Sequence, residues 1–155
     1  DTVRFTSINP YKIKITGRTK HFINVFGEEL IIENCDRAIK IVSKKLGCEI
    51  RDYTVAPVFM KGKAKGKHEW LIEFKSSSIN LSYFSELLDN ALKSLNSDYE
   101  AKRYNNTTLE MPKIILARNG LFNDWLKNKG KLGGQHKIPR LSNSRNFIES
   151  LLELQ

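Results

Sequence analysis

The stretch Ile50–Phe74, IRDYTVAPVFMKGKAKGKHEWLIEF, decides the fold. Both of its ends are rich in β-branched and aromatic residues, and its middle is a run of lysine and glycine. Ile50–Met60 and His68–Phe74 therefore predict two strands. Trp70, Ile72 and Phe74 fall at every second position, so they share one face of the second strand. The run Lys61–Lys67 closes the tip between them.

Upstream, Lys12–Thr16 and Phe22–Val25 alternate polar and apolar residues over short spans, as half-buried strands do. Cys35, Ala38, Ile39, Val42 and Leu46 then recur at three and four, which predicts an amphipathic helix stopped by Gly47. Downstream, Leu81, Phe84, Leu88, Ala91, Leu92 and Leu95 make the longest helical stripe. Ser97 with Glu100 has the form of a capping box opening a shorter helix. Lys113–Ala117 predicts a short strand, Leu121–Lys127 a helix, Lys129–Arg140 a glycine-rich loop and Asn146–Leu154 a terminal helix. The expected architecture is α+β, a small mixed β-sheet covered by helices.

A chain of 155 residues with 40% hydrophobic content has enough material for one core. Its 26 Lys+Arg against 17 Asp+Glu give +9, which favours anionic partners: nucleotides, nucleic acid, acidic lipids or an acidic protein face. The two cysteines, Cys35 and Cys48, have no neighbours at metal-ligand spacing, and Cys35 falls in the apolar helical series. With no secretory signal or long apolar run, the expectation is a reduced, cytoplasmic protein without a membrane partner. A start at Asp1 rather than Met suggests a piece of a longer protein.

Three stretches have the composition for chemistry. Four lysines at alternate positions of Lys61–Lys67 can follow a polyanion, but no aromatic residue interleaves to stack a base, and solvated charge is usual at a hairpin tip. In Asn128–Asn143, NKGKLGGQHKIPRLSN, the cations Lys129, Lys131, Lys137 and Arg140 lie on a backbone loosened by Gly130, Gly133 and Gly134. Such a loop can close around a phosphate and deliver a lysine to a developing anion, although no Walker pattern is present. The third stretch, Gly17–Asn34, GRTKHFINVFGEELIIEN, is a basic turn, a strand and a Gly27-Glu28-Glu29 corner before a helix.

The order of Gly17-Arg18-Thr19-Lys20, Gly27-Glu28-Glu29, Asn96-Ser97-Asp98-Tyr99-Glu100 and Gln135-His136-Lys137-Ile138-Pro139-Arg140 resembles the C-terminal domain of the adenylate-forming superfamily. It is most similar to the Gretchen Hagen acyl-acid amido synthetases, and the resemblance runs over essentially the whole chain.

That resemblance implies an ATP-dependent ligase acting in two steps. A carboxylic acid and ATP give an acyl-adenylate and pyrophosphate, and an amine, usually of an amino acid, then takes the acyl group and releases AMP. Residues 17–155 would be the mobile C-terminal lid, residues 1–16 a hinge-proximal linker, and an N-terminal adenylation domain would lie in cis and hold most of the ATP and Mg2+ contacts. By the same resemblance Lys137 is the catalytic lysine of adenylation, Lys20 the hinge, and Arg18 and Asp1 nucleotide-binding residues at the ribose. Gly27 and Glu28 would belong to the loop facing the acceptor. The Gln-x-Lys-x-Pro-Arg form of the closing motif favours an amine acceptor over coenzyme A. A coenzyme A ligase of the same superfamily and a basic nucleic-acid-binding module are the alternatives, with no specific nucleic acid expected on the first reading.

Overall fold

The computed structural model describes residues 2–17, 21–75, 78–130 and 137–155. Its centre is a three-stranded sheet in the order β5-β6-β7, formed by β5 (Ile50–Val58), β6 (Lys67–Phe74) and β7 (Lys113–Leu116). β5 and β6 pair antiparallel, with Val55 opposite Trp70, whereas β6 and β7 pair parallel, with Trp70 opposite Ile114. The sheet is mixed, as expected. The parallel pairing needs a long crossover, and the helices α2 (Leu81–Leu95) and α3 (Ser97–Arg103) supply it.

β6 is buried on both faces even though His68, Glu69 and Glu73 interrupt its apolar residues. Trp70, Ile72 and Phe74 face α1 (Ile32–Leu46) and α2, where they meet Cys35, Ala38, Val42, Phe84, Leu88 and Leu92. Leu71 points the other way, into a second cluster with Leu121, Phe122 and Trp125 of α4 (Leu121–Asn128) and Ile148 and Leu151 of α5 (Asn146–Leu152). The sheet thus lies between two helical layers. Gly47 ends α1 in the left-handed conformation, at φ 62°, as its position predicts. Cys35 is fully buried, and burial foremost, with the nearby Asp36 charge, pushes its thiol well above the ordinary value.

Two local expectations change. The cap of α3 is Asn96, whose side chain accepts from Tyr99 N–H at 2.7 Å, so Ser97 is the first helical residue and not the cap. Asn96 also closes α2, and one residue serves as the joint of both helices. The predicted strand Phe22–Val25 shrinks to β3 (Phe22–Ile23), paired with β4 (Leu30–Ile31), because the chain turns into the Gly27 corner directly after it.

Residues 2–17 form a hairpin of β1 (Thr2–Ile8) and β2 (Tyr11–Gly17), joined through a cis Asn9–Pro10 bond. Its cross-strand pairs Val3–Ile15, Phe5–Ile13 and Ile8–Tyr11 carry large apolar side chains that are 51–77% exposed. Within the segment expected as a linker there is therefore an ordered element with an uncovered apolar face.

Candidate functional site

The Gly27-Glu28-Glu29 corner is built around an inward carboxylate. Glu28 and His68 are 0% and 1% exposed, and with Glu28 ionised His68 Nε2–H donates to Glu28 Oε1 at 2.8 Å. Glu28 Oε2 accepts Phe26 N–H at 2.7 Å, which pulls the backbone tightly round Gly27, at φ 81°. Burial would raise the Glu28 pKa, but the bond and charge of His68 and the backbone donors outweigh it, so the carboxyl is held below its usual range. His68 in turn stacks on Tyr99, with ring centroids 5.8 Å apart.

Neighbouring amides clamp the rest of the corner. Asn24 Oδ1 accepts Glu29 N–H, Asn96 Nδ2 donates to Glu29 O, and Asn143 pairs with both Asn24 N–H and Phe22 O. Gly66, at the foot of the lysine–glycine loop, packs so closely on Phe26 that an added Cβ would stand 2.4 Å from the ring. Glu28 was expected to face an acceptor. Its carboxylate instead holds the corner from inside, and the surface there is formed by Gly27 and by Lys102 of α3.

The closing segment is anchored from Ile138 onward. Ile138 enters the second cluster, Thr54 Oγ1 donates to Pro139 O at 2.7 Å, and Val55 N–H donates to Arg140 O at 2.8 Å. A parallel bridge of Leu141 to Val55 adds this segment to the free edge of β5. Arg140 Nη1 donates to Asp36 Oδ1 at 2.6 Å, and its guanidinium stands 5.0 Å from the Tyr53 ring centroid. Arg140 thus fastens the loop to its own domain. Lys137 is exposed, one residue before the buried Ile138.

Arg18, Lys20 and Asp1 lie outside the described residues. Of the predicted residues, Gly27 and Glu28 are brought together in the corner and Lys137 stands at the start of the anchored segment. Sequence reasoning missed His68, because a lone histidine between a lysine and a glutamate carries no local signal of its partner forty positions away. It also missed Asp89 and Arg103, and gave Tyr99 no role beyond its place in the Asn96–Glu100 motif. Asp89 is buried and takes Arg103 Nε–H at 2.6 Å and Tyr99 Oη–H at 2.8 Å, fixing α3 against α2. Spacing along α2 placed Asp89 beside Leu88 but gave no reason for an inward acid.

Fold and site together define a small α+β domain that presents a glycine corner and, far from it in sequence, an exposed Lys137 followed by an anchored Ile138-Pro139-Arg140 segment. The chain belongs to the GH3 family: the model for the GH3 family C-terminal domain matches residues 33–146, well over half of the sequence. Among solved structures, a GH3.15 acyl acid amido synthetase is similar with a TM-score of 0.78 and 18% identity, over 97% of this chain and 29% of its own. AtGH3.15 acyl acid amido synthetase in complex with 2,4-DB gives 0.73 and 17%, with the same coverage. At these identities the two likenesses establish the fold, and this chain spans less than a third of either protein. No curated protein matches the sequence.

The lysine–glycine loop offers less to a polyanion than its composition suggests. Lys67 is paired with Glu110 at 2.7 Å, and the loop backbone is fixed by bridges of Lys61 to Ala64 and Gly66 to Leu109. Among the described residues, no helix is long and apolar enough to cross a membrane, and no group of three His, Cys, Asp or Glu is placed to hold a metal ion.

Proposed function

We propose that this chain is the C-terminal domain of an ATP-dependent acyl-acid amido synthetase, working in the cytoplasm with an N-terminal adenylation domain in cis. The observation that carries the reading is the setting of Lys137, an exposed cation at the end of a glycine-rich loop whose next residues are fastened to β5. The uncovered apolar face of the β1–β2 hairpin supports a large partner in cis, since so many exposed apolar side chains on one face mark an interaction surface.

In this reading a carboxylate oxygen attacks the α-phosphorus of ATP, pyrophosphate leaves, and an acyl-adenylate remains. Two anions approach and charge builds on phosphorus, so an ammonium brought by the loop stabilises the transition state more than the ground state. Lys137 has that role. Arg18 and Asp1 meet the ribose, and Lys20 is the pivot about which the domain turns to present its Gly27 corner. The amine nitrogen then attacks the acyl carbon, and AMP leaves. ATP and Mg2+ would be held mainly by the N-terminal adenylation domain.

The test is Lys137→Ala in the full-length enzyme. Acid-dependent ATP–pyrophosphate exchange is expected to fall by about 10²–10³-fold, the effect of losing one preorganised charge-stabilising donor, while amide formation from a supplied acyl-adenylate changes little. Arg140→Ala should weaken both steps together by loosening the loop. Exchange that survives Lys137→Ala and is lost selectively in Arg140→Ala would overturn the assignment.

A further inference from the structure

We propose that Lys102 receives the α-carboxylate of an amino-acid acceptor, and so selects amino acids over amines that lack a carboxylate. The inference rests on the amido synthetase reading and goes further, by giving the acceptor a binding residue on this domain.

The geometry begins at Gly27. A Cβ built there would stand 3.1 Å from Lys102 Cε and 3.2 Å from Lys102 Nζ, so the ammonium lies directly against the glycine backbone. At φ 81° only glycine is comfortable, and its missing side chain is what lets the lysine lie so close. The corner cannot swing to meet or avoid that ammonium freely. Glu28 is locked on His68 and Phe26, and Glu29 is held by Asn24 and Asn96.

Lys102 is also positioned from its own side. Its neighbour Arg103 is tied to the buried Asp89, and Lys102 O accepts Leu109 N–H at 2.9 Å. Other cations have partners: Lys93 of α2 and Arg103 of α3 share Asp89, and Lys67 of β6 has Glu110. Among the described residues no carboxylate pairs with Lys102. Of the two acids of the corner, Glu28 is turned inside by His68, and Glu29, although exposed, makes no ion pair with Lys102. A half-buried lysine held beside a side-chain-free backbone, with Glu28 turned inside, is suited to an incoming carboxylate as a compact point charge.

An amino acid bound this way carries its carboxylate on the carbon that bears the nucleophilic amine. One ion pair therefore fixes the amine within two bonds of a known point, which lowers the entropy cost of attack on the acyl carbon. A simple amine gains nothing from Lys102. Selectivity arises because the binding site contains a charge that only one class of acceptor satisfies.

The experiment uses the full-length enzyme and the amino acid it conjugates best among the common twenty, alongside the α-carboxamide of that amino acid. In Lys102→Ala, KM for the amino acid is expected to rise at least 10-fold while the carboxamide reacts as with wild type, so discrimination between the two collapses. Lys102→Arg should keep most of the discrimination, and acid-dependent ATP–pyrophosphate exchange should be unchanged in both variants. Equal effects on amino acid and carboxamide, or a wild-type enzyme that does not distinguish them, would overturn the proposal while leaving the adenylation reading intact. Absence of exchange in wild type would instead overturn the reading on which it rests.

Discussion

Removing the Glu28 carboxylate should unfold much of the stability of this domain. In Glu28→Ala the His68 imidazole loses the acceptor of its Nε2–H, and His68 Nδ1 already has no hydrogen-bond partner, so both ring nitrogens become unpaired at 1% exposure. Phe26 N–H loses its acceptor as well. Breaking one side of such a buried pair costs about 3–5 kcal/mol, a large part of the ~5–15 kcal/mol typical of a domain. With a urea m-value of ~2 kcal/mol/M, the midpoint should fall by about 1.5–2.5 M. Glu28→Gln keeps an acceptor for His68 and should lose only about 1–2 kcal/mol. Unfolding followed by fluorescence of Trp70, buried two residues from His68, measures both. The pH dependence has a definite sign. Because the folded pKa of Glu28 lies below its unfolded value, its contribution is present above the unfolded pKa and is lost as pH falls through the folded one. Wild type should therefore lose its advantage over the Gln variant in acid. An Ala variant within 0.5 kcal/mol of wild type at neutral pH, with m unchanged, would refute the account of the corner.

Gly66→Ala should destabilise by about 1–3 kcal/mol, since its Cβ meets the Phe26 ring at 2.4 Å and the ring must shift; a neutral result in the same urea assay would mean that the ring moves freely. Arg103→Ala should cost about 3 kcal/mol by leaving Asp89 buried with only Lys93 and Tyr99, and Asp89→Asn should restore part of that loss in the double variant, which a double-mutant cycle reads directly. Asp89, whose carboxyl burial would raise but Arg103, Lys93 and Tyr99 hold low, should stabilise above its unfolded pKa and cease to do so as acid takes the pH through its folded pKa; a stability profile in Asp89→Asn that is as steep in acid as wild type would contradict this. Cys35 should react with a thiol reagent only as fast as the domain opens, and labelling at the rate of a free thiol in native buffer would contradict its burial.

The sequence by itself determined the elements whose signals are local. The stripe of α2 and the stop at Gly47 repeat at helical spacing, and Trp70, Ile72 and Phe74 alternate, so burial on one face could be read without knowing the partner. It also placed Lys137 and Arg140 on one basic loop, and the ordered motifs pointed to the family. Tertiary structure decided what each charge does. Glu28 stands between Gly27 and Glu29 in a stretch that reads as a solvent-facing corner, yet it is the most buried acid among the described residues because His68, from the middle strand, offers a proton there. Arg140 and Lys137 are three positions apart in the same loop, and only the approach of Asp36, Asp52 and Tyr53 makes one an anchor while the other stays exposed. Lys102 gained its meaning in the same way, from a glycine that lies far from it in sequence and within contact of it in space. Apolar burial follows spacing along the chain, because any apolar neighbour will serve. The fate of a charge depends on which single group the fold brings opposite it, and no local pattern carries that information.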